Sequence, residues 1–224
     1  RFRAFVRAGQ GTQENPPVVG AGAHPRIANS GWDAAWNANL AKEAPTLAAA
    51  LKCDNARQTW TDQTGANEDK PLVCASWFEV FAFCAWDGGF LPTEAEWNYA
   101  AAGGAEQRPY PWSANMNDTT IDSSRAVYDL TTIGPVGSKS PKGDGKWGHA
   151  DLAGNVTELV LDWYAKPYSI NQCNDCADLT AGTVRVYRGG SWRDPAAAAR
   201  TYDRGAGAPG ARGNEIGTRC ARTP

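Results

Sequence analysis

The residues of this 224-residue chain whose types and spacing could do chemistry are six cysteines, a carboxylate pair around a Gly-Asn turn, and a C-terminal set of arginines. The cysteines are Cys53, Cys74, Cys84, Cys173, Cys176 and Cys220. An even number permits complete pairing as disulfides, with many connectivities open. Cys173 and Cys176, in "CNDC", have the spacing of a zinc-ligand pair or a redox dithiol. His24 and His149 are the chain's only histidines, too few for most histidine-rich metal sites, and no βαβ pattern surrounds the pair. A small structural disulfide loop is therefore expected at Cys173–Cys176. A Cys53–Cys74 bridge would staple the polar, turn-rich residues 54–72, the alternative being two buried thiols. Disulfides in turn point to an extracytoplasmic compartment, secreted, periplasmic or at the cell surface.

In "DLAGNVTELVLDW", Asp151 and Glu158 flank a turn with Gly154 and Asn155 at its tip. A hard cation takes about six to eight oxygens from carboxylates and carbonyls around a tight bend. Asp151, Glu158 and the carbonyls of Gly154 and Val156 could supply part of that shell. The pattern is not an EF-hand, and spacing alone favours a solvated turn. Arg188, Arg193, Arg200, Arg204, Arg212 and Arg219 offer planar forks suited to carboxylates and polar ligands, or to a salt-bridged loop surface. The sequence shows no Ser-His-Asp order, P-loop or dinucleotide fingerprint. Two glycosylation sequons, at Asn117 and Asn155, are read as chance.

The elements that must position these groups are sparse. "SWFEVFAFCAWDGG" reads as a helix: Ser76 and Glu79 form a capping box, Gly88 and Gly89 stop it, and Trp77, Phe81 and Cys84 share one face. "LPTEAEWNYAAAGG" reads as a second, boxed by Thr93 and Glu96 and ended at Gly103 and Gly104. "GWDAAWNANLAKEA" looks helical and is expected to end before Pro45, with "TLAAALK" following. Residues 106–150 are expected to be mostly loop. "ELVLDWY" and "VRVYRGGSW" read as strands or strand-like segments, and "IGTRCAR" as a final strand. Ten tryptophans against six phenylalanines are read mainly as a tryptophan-rich core. A net charge of −2 without a like-charged block gives no support for a nucleic-acid or membrane-surface role. No apolar run reaches the roughly 18 residues of a membrane span. The length fits a single domain over 1–224.

Together, "GGFLPTEAEWNYAAAGG", "DLAGNVTELVLDWY", "RVYRGGSW" and "IGTRCAR" resemble the formylglycine-generating enzymes, or sulfatase-modifying factors. The order and spacing of these blocks are specific, and the likeness runs over nearly the whole chain. It implies an α+β, loop-rich variant of the C-type lectin fold with little regular secondary structure. It also implies a Cys84–Cys220 disulfide and a structural calcium ion held by the Asp151 and Glu158 side chains and the Gly154 and Val156 carbonyls. An early strand of that family is missing upstream of Arg1, so the N-terminal part of the domain is expected to lie before it. The departures bear on activity. The enzymes of the family use a cysteine pair downstream of "RGGSW" that binds copper(I), whereas no cysteine lies between Arg188 and Cys220 here, and Ala196–Ala199 occupy the neighbourhood where the resemblance places the first of the pair. Copper(I) requires soft thiolates, so no copper is expected. Thr157, Leu159 and Thr218 replace aromatic residues usual in the family's blocks.

These readings converge on an extracytoplasmic, noncatalytic domain. It would bind a protein or glycan ligand through residues 193–215, with Arg193, Asp194, Tyr202, Asp203, Arg204 and Arg212 making the contacts. One alternative is an enzyme with cysteine-independent chemistry, using Asp194, Tyr202 and Asp203 as acid or base groups. Another is a structural subunit of a surface assembly, in which an oligomer would bury the same loop.

Overall fold

The computed structural model describes residues 1–167 and 175–223. Its regular elements are helices α1 (Phe2–Arg7), α2 (Ala44–Ala50), α3 (Trp77–Trp86) and α4 (Glu94–Ala102), and strands β1 (Thr157–Trp163), β2 (Arg185–Arg188), β3 (Gly205–Gly207) and β4 (Ile216–Thr218). The strands form one sheet in the order β3-β2-β1-β4. β1 pairs antiparallel with β2 and parallel with β4, and β2 pairs antiparallel with β3. This is the α+β, loop-rich architecture expected from the sequence. Residues 107–156 hold no helix or strand, as their Pro, Gly and Asn content predicts.

The two main helices begin where their capping chemistry places them. Ser76 Oγ accepts from Glu79 N while Glu79 Oε2 accepts from Ser76 N at 2.9 Å. Thr93 and Glu96 repeat the arrangement at 3.0 and 2.8 Å. α4 stops at Gly103, whose φ of 68° is left-handed and open to glycine at no steric cost. Trp77, Phe81 and Cys84 are buried as predicted, but so are Phe78, Val80 and Ala82. α3 is covered on several sides. Phe2 and Phe5 of α1 pack on Phe83, Trp36 packs edge-on against Trp77, and Trp77 Nε1 donates to Val160 O of β1 at 2.8 Å. Five of the ten tryptophans (Trp32, Trp60, Trp77, Trp97 and Trp192) are buried, so the tryptophan-rich core is real.

Three expectations are corrected. The segment before Pro45 is only a 3-10 turn, Ala34–Asn39, capped by Asp33. Pro45 lies in the first turn of α2, where its missing N–H would have had no intrahelical partner. "VRVYRGGSW" is a strand only to Arg188, because Gly189 and Gly190 take left-handed φ values. The sequence reading also missed β3. A Cβ on Gly205 would fall 1.9 Å from the Tyr187 ring, so this strand closes on the sheet only because glycine lets the backbone approach.

Two disulfides fasten the loops. Cys53–Cys74 closes the turn-rich segment, and Cys84–Cys220 joins α3 to the chain beyond β4. Both pairings agree with expectation. Cys173 lies outside the described residues, and with it the expected Cys173–Cys176 loop.

Candidate functional site

α4 carries Glu94 and Asn98 four residues apart, hence on one face, with Tyr99 beside them. That face meets the segment after the Ala196–Ala199 turn, and the two enclose a cleft of about 670 Å³. Glu94, Asn98, Tyr99 and Gln107 line one wall, and Arg188, Tyr202 and Arg204 the other. The charged groups hold one another. Arg204 grips buried Glu94 through Nε and Nη2 at 2.5 and 2.7 Å, and its Nη1 donates to Ala165 O. Arg188 Nη2 donates to Asn98 Oδ1 at 2.7 Å and to Thr201 O at 2.6 Å, and Nη1 donates to Asp203 O. Its guanidinium lies over the Trp97 ring and 3.7 Å from Glu94. At the mouth, Tyr99 and Tyr202 are 60% and 59% exposed, unusual for large aromatic side chains.

A smaller pocket of about 180 Å³ also touches Arg188 and is lined by Tyr187, Gly190, Asp194, Ala198 and Asp203. Burial is the main cause that raises the Asp203 carboxyl above its ordinary range, and Asp194 adds to it while Arg188 opposes it. Burial likewise raises the Tyr187 hydroxyl, with Asp194 and Glu215 adding. Asp194 is itself engaged, accepting from Ser191 N at 2.9 Å and Ser191 Oγ at 2.6 Å.

The six residues assigned to a ligand surface are thus divided. Tyr202 and Arg204 face the large cleft, and Asp194 and Asp203 the small one. Arg193 is exposed on its own beside Glu215. Arg212 turns inward, where it pairs with buried Glu79 and donates to Cys74 O, so it lines neither cavity. Sequence reading missed Glu94, Asn98, Tyr99 and Gln107. Their one visible signal was the capped helix that carries the first three.

The 151–158 turn is tight, with Asp151, Gly154 and Asn155 all at positive φ. The four expected calcium donors fit only in part. Glu158 receives Arg219 Nε and Nη2 at 3.0 and 2.8 Å and Trp97 Nε1 at 2.7 Å, so a guanidinium already neutralises it. Asp151 accepts from Gly137 N at 2.6 Å, and the Asn155 side chain also favours its charge. Burial raises its carboxyl above the ordinary range, and the Glu158 charge adds to this. Among the described residues, no three His, Cys, Asp or Glu side chains converge as a metal cluster. The four alanines that stand where the resemblance places the first catalytic thiol form a 3-10 turn. Ala199 is buried there, and Tyr110 Oη donates to Ala196 O at 2.8 Å.

No helix among the described residues is long and apolar enough to cross a membrane. The sulfatase-modifying factor enzyme 1-like domain matches residues 1–224. The formylglycine-generating enzyme of Streptomyces coelicolor is 32% identical over 183 residues, covering 72% of this chain and 57% of that protein. The inactive C-alpha-formylglycine-generating enzyme 2 of Bos taurus is 35% identical over 164 residues, 67% of this chain and 50% of that one. The chain therefore spans about half the length of these curated relatives. Among solved structures, PvdO from Pseudomonas aeruginosa is 27% identical with a TM-score of 0.59, covering 70% of this chain and 62% of that one. Treponema denticola variable protein 1 shares the fold at 23% identity and a TM-score of 0.62, covering 79% and 80%. With the capped helices, the tight 151–158 turn and the Cys84–Cys220 bridge in place, the chain belongs to the family of sulfatase-modifying factor enzyme 1-like domains.

Proposed function

We propose that this domain is noncatalytic, acts outside the cytoplasm, and binds a ligand in the cleft between α4 and residues 200–205. The observation that carries the reading is the cleft's composition: Glu94, Arg188 and Arg204 are held by each other and by backbone carbonyls, while Tyr99 and Tyr202 stand exposed at its mouth. Pre-formed polar walls with protruding aromatics suit binding, and a reaction centre would need a group with open proton or electron chemistry. Two further points support it. No thiol lies between Arg188 and Cys220, and one relative of similar identity is named as inactive. The two disulfides are compatible with an oxidising compartment. A calcium ion at the 151–158 turn belongs to the same proposal, held by the Asp151 carboxylate with the Gly154 and Val156 carbonyls and without Glu158. It would be structural, relieving a half-buried carboxylate.

The experiment is an aerobic incubation of the purified protein with copper(I) and a cysteine-containing sulfatase-type peptide, read by mass spectrometry. An unchanged peptide is expected. Conversion of the thiol to an aldehyde overturns the noncatalytic reading and requires metal ligands other than thiols in the 189–219 stretch.

A further inference from the structure

The chemistry of the large cleft narrows its ligand. Tyr99 lies against Trp147 with ring centroids 5.2 Å apart and planes within 8° of parallel, and Trp147 is itself exposed. Tyr202 stands on the facing wall. Tyr99, backed by Trp147, and Tyr202 thus flank one opening, each with an apolar ring and a polar end. Besides the mutually paired charges of Glu94, Arg188 and Arg204, the hydrogen-bonding side chains that line the cleft include the neutral amides of Asn98 and Gln107. Asn98 gives its Oδ1 to Arg188, which leaves its NH2 as the donor. Gln107 gives its Nε2 to Gly104 O, which leaves Oε1 as an acceptor. Aromatic faces, planar amides and internally compensated charges complement a molecule that alternates flat C–H faces with hydroxyl groups. A peptide fits less well. Extended peptides bind through their backbone to a strand edge, whereas one wall here is a helix whose backbone groups bond internally, and β3 beyond the other wall is three residues long.

We propose that the cleft binds a neutral oligosaccharide, with pyranose rings laid against Tyr99 and Tyr202 and its hydroxyls bonded to Asn98 and Gln107. This inference rests on the reading of the cleft as a ligand site.

The test is to probe the protein on an array of neutral glycans, acidic glycans and peptides, then to measure the strongest neutral glycan by calorimetry against the parent and the Tyr99→Ala and Tyr202→Ala variants. Neutral glycans should bind. Each substitution should weaken binding about tenfold or more, the loss of one desolvated aromatic contact. Tyr202→Ala should keep the parental melting temperature, because that side chain is exposed, so its loss of binding is not a loss of fold. Binding confined to peptides or acidic glycans and lost in Tyr202→Ala overturns the ligand class and leaves the cleft as a ligand site. Neutral-glycan binding that survives both substitutions overturns the placement. If no ligand on the array binds in a Tyr202-dependent way, the ligand-site reading falls as well.

Discussion

Arg212→Ala removes the guanidinium that faces the buried carboxylate of Glu79. Glu79 is 0% exposed and closes the capping box of α3. Its Oε2 accepts from Ser76 N at 2.9 Å and from Arg212 Nη1 at 2.7 Å, and its Oε1 accepts from Arg212 Nη2. The same Nη1 donates to Cys74 O at 2.7 Å. Without the arginine, a buried anion and a carbonyl lose their partner together. Breaking a buried pair from one side costs about 3–5 kcal/mol. Arg212 keeps 23% of its side chain exposed, so water reaches the vacated site and the lower half of that range is expected. For a domain of this size the melting temperature should fall by roughly 6–15 °C, at about 2–4 °C per kcal/mol. Differential scanning calorimetry reads this directly. Arg193→Ala, on an exposed side chain, should stay within about 0.5 kcal/mol of the parent. Glu79→Gln combined with Arg212→Met removes both charges, and the double-mutant cycle should show a coupling of about 1–3 kcal/mol. A melting temperature for Arg212→Ala within about 1 °C of the parent, or an additive cycle, would refute the inward, structural role and return Arg212 to the ligand surface.

Three further outcomes are expected. Removing Cys84–Cys220, which spans 136 residues, should destabilise more than removing Cys53–Cys74, which spans 21. Chain-entropy arguments give about 5 against about 3 kcal/mol, and denaturant melts of the paired Cys→Ala variants would show the order. Chelation should lower the melting temperature of calcium-loaded protein, and Asp151→Asn should abolish the difference, since an ion that binds only the folded state stabilises it; identical melts with and without chelator count against the ion. Asp162 accepts backbone N–H groups from Glu94 and Asp178, yet burial raises its carboxyl to about 6. The folded state therefore binds the proton more readily than the unfolded one, and this group's contribution makes stability fall as pH rises from about 4 to about 6. Asp162→Asn should flatten that slope in pH-dependent melts, and an unchanged slope would assign it to other groups.

What was legible in the sequence was local. Ser76–Glu79 and Thr93–Glu96 act over three residues, and Gly103 ends its helix by its own backbone freedom, so these elements stood where they were read. β3 was illegible because "GAG" has no strand propensity. It exists through the fit of Gly205 against Tyr187, a contact across 18 positions of sequence. Pro45 reads as a stop in the sequence and is a start in the fold, since proline disrupts a helix interior but not its first turn. The cleft was half legible. Tyr202 and Arg204 were named, but the wall opposite them comes from α4, and the Glu94–Arg204 pair that joins the walls is separated by 110 residues. Composition shows that acids and arginines are present and leaves open which of them meet.

Those pairings explain how so irregular a C-terminal region holds its shape. Arg204 reaches Glu94 on α4, Arg212 reaches Glu79 on α3, and Arg219 reaches Glu158 on β1. Each acid is nearly or fully buried, and each arginine comes from a segment with at most three residues of regular structure. Strands of that length contribute few ladder hydrogen bonds, so side-chain pairs and the Cys84–Cys220 bridge must fix the segment against the helices. The arginines first read as a binding set therefore serve two ends. Arg204, Arg212 and Arg219 position the loop, while Arg193, 4.0 Å from Glu215, and Tyr202, beneath the Arg200 guanidinium, keep much of their side chains in solvent. Substitution of Tyr202, at the mouth of the cleft, should alter what is bound while sparing the scaffold, substitution of Arg212 or Arg219 should do the reverse, and substitution of Arg204, which lines the cleft and holds Glu94, should do both.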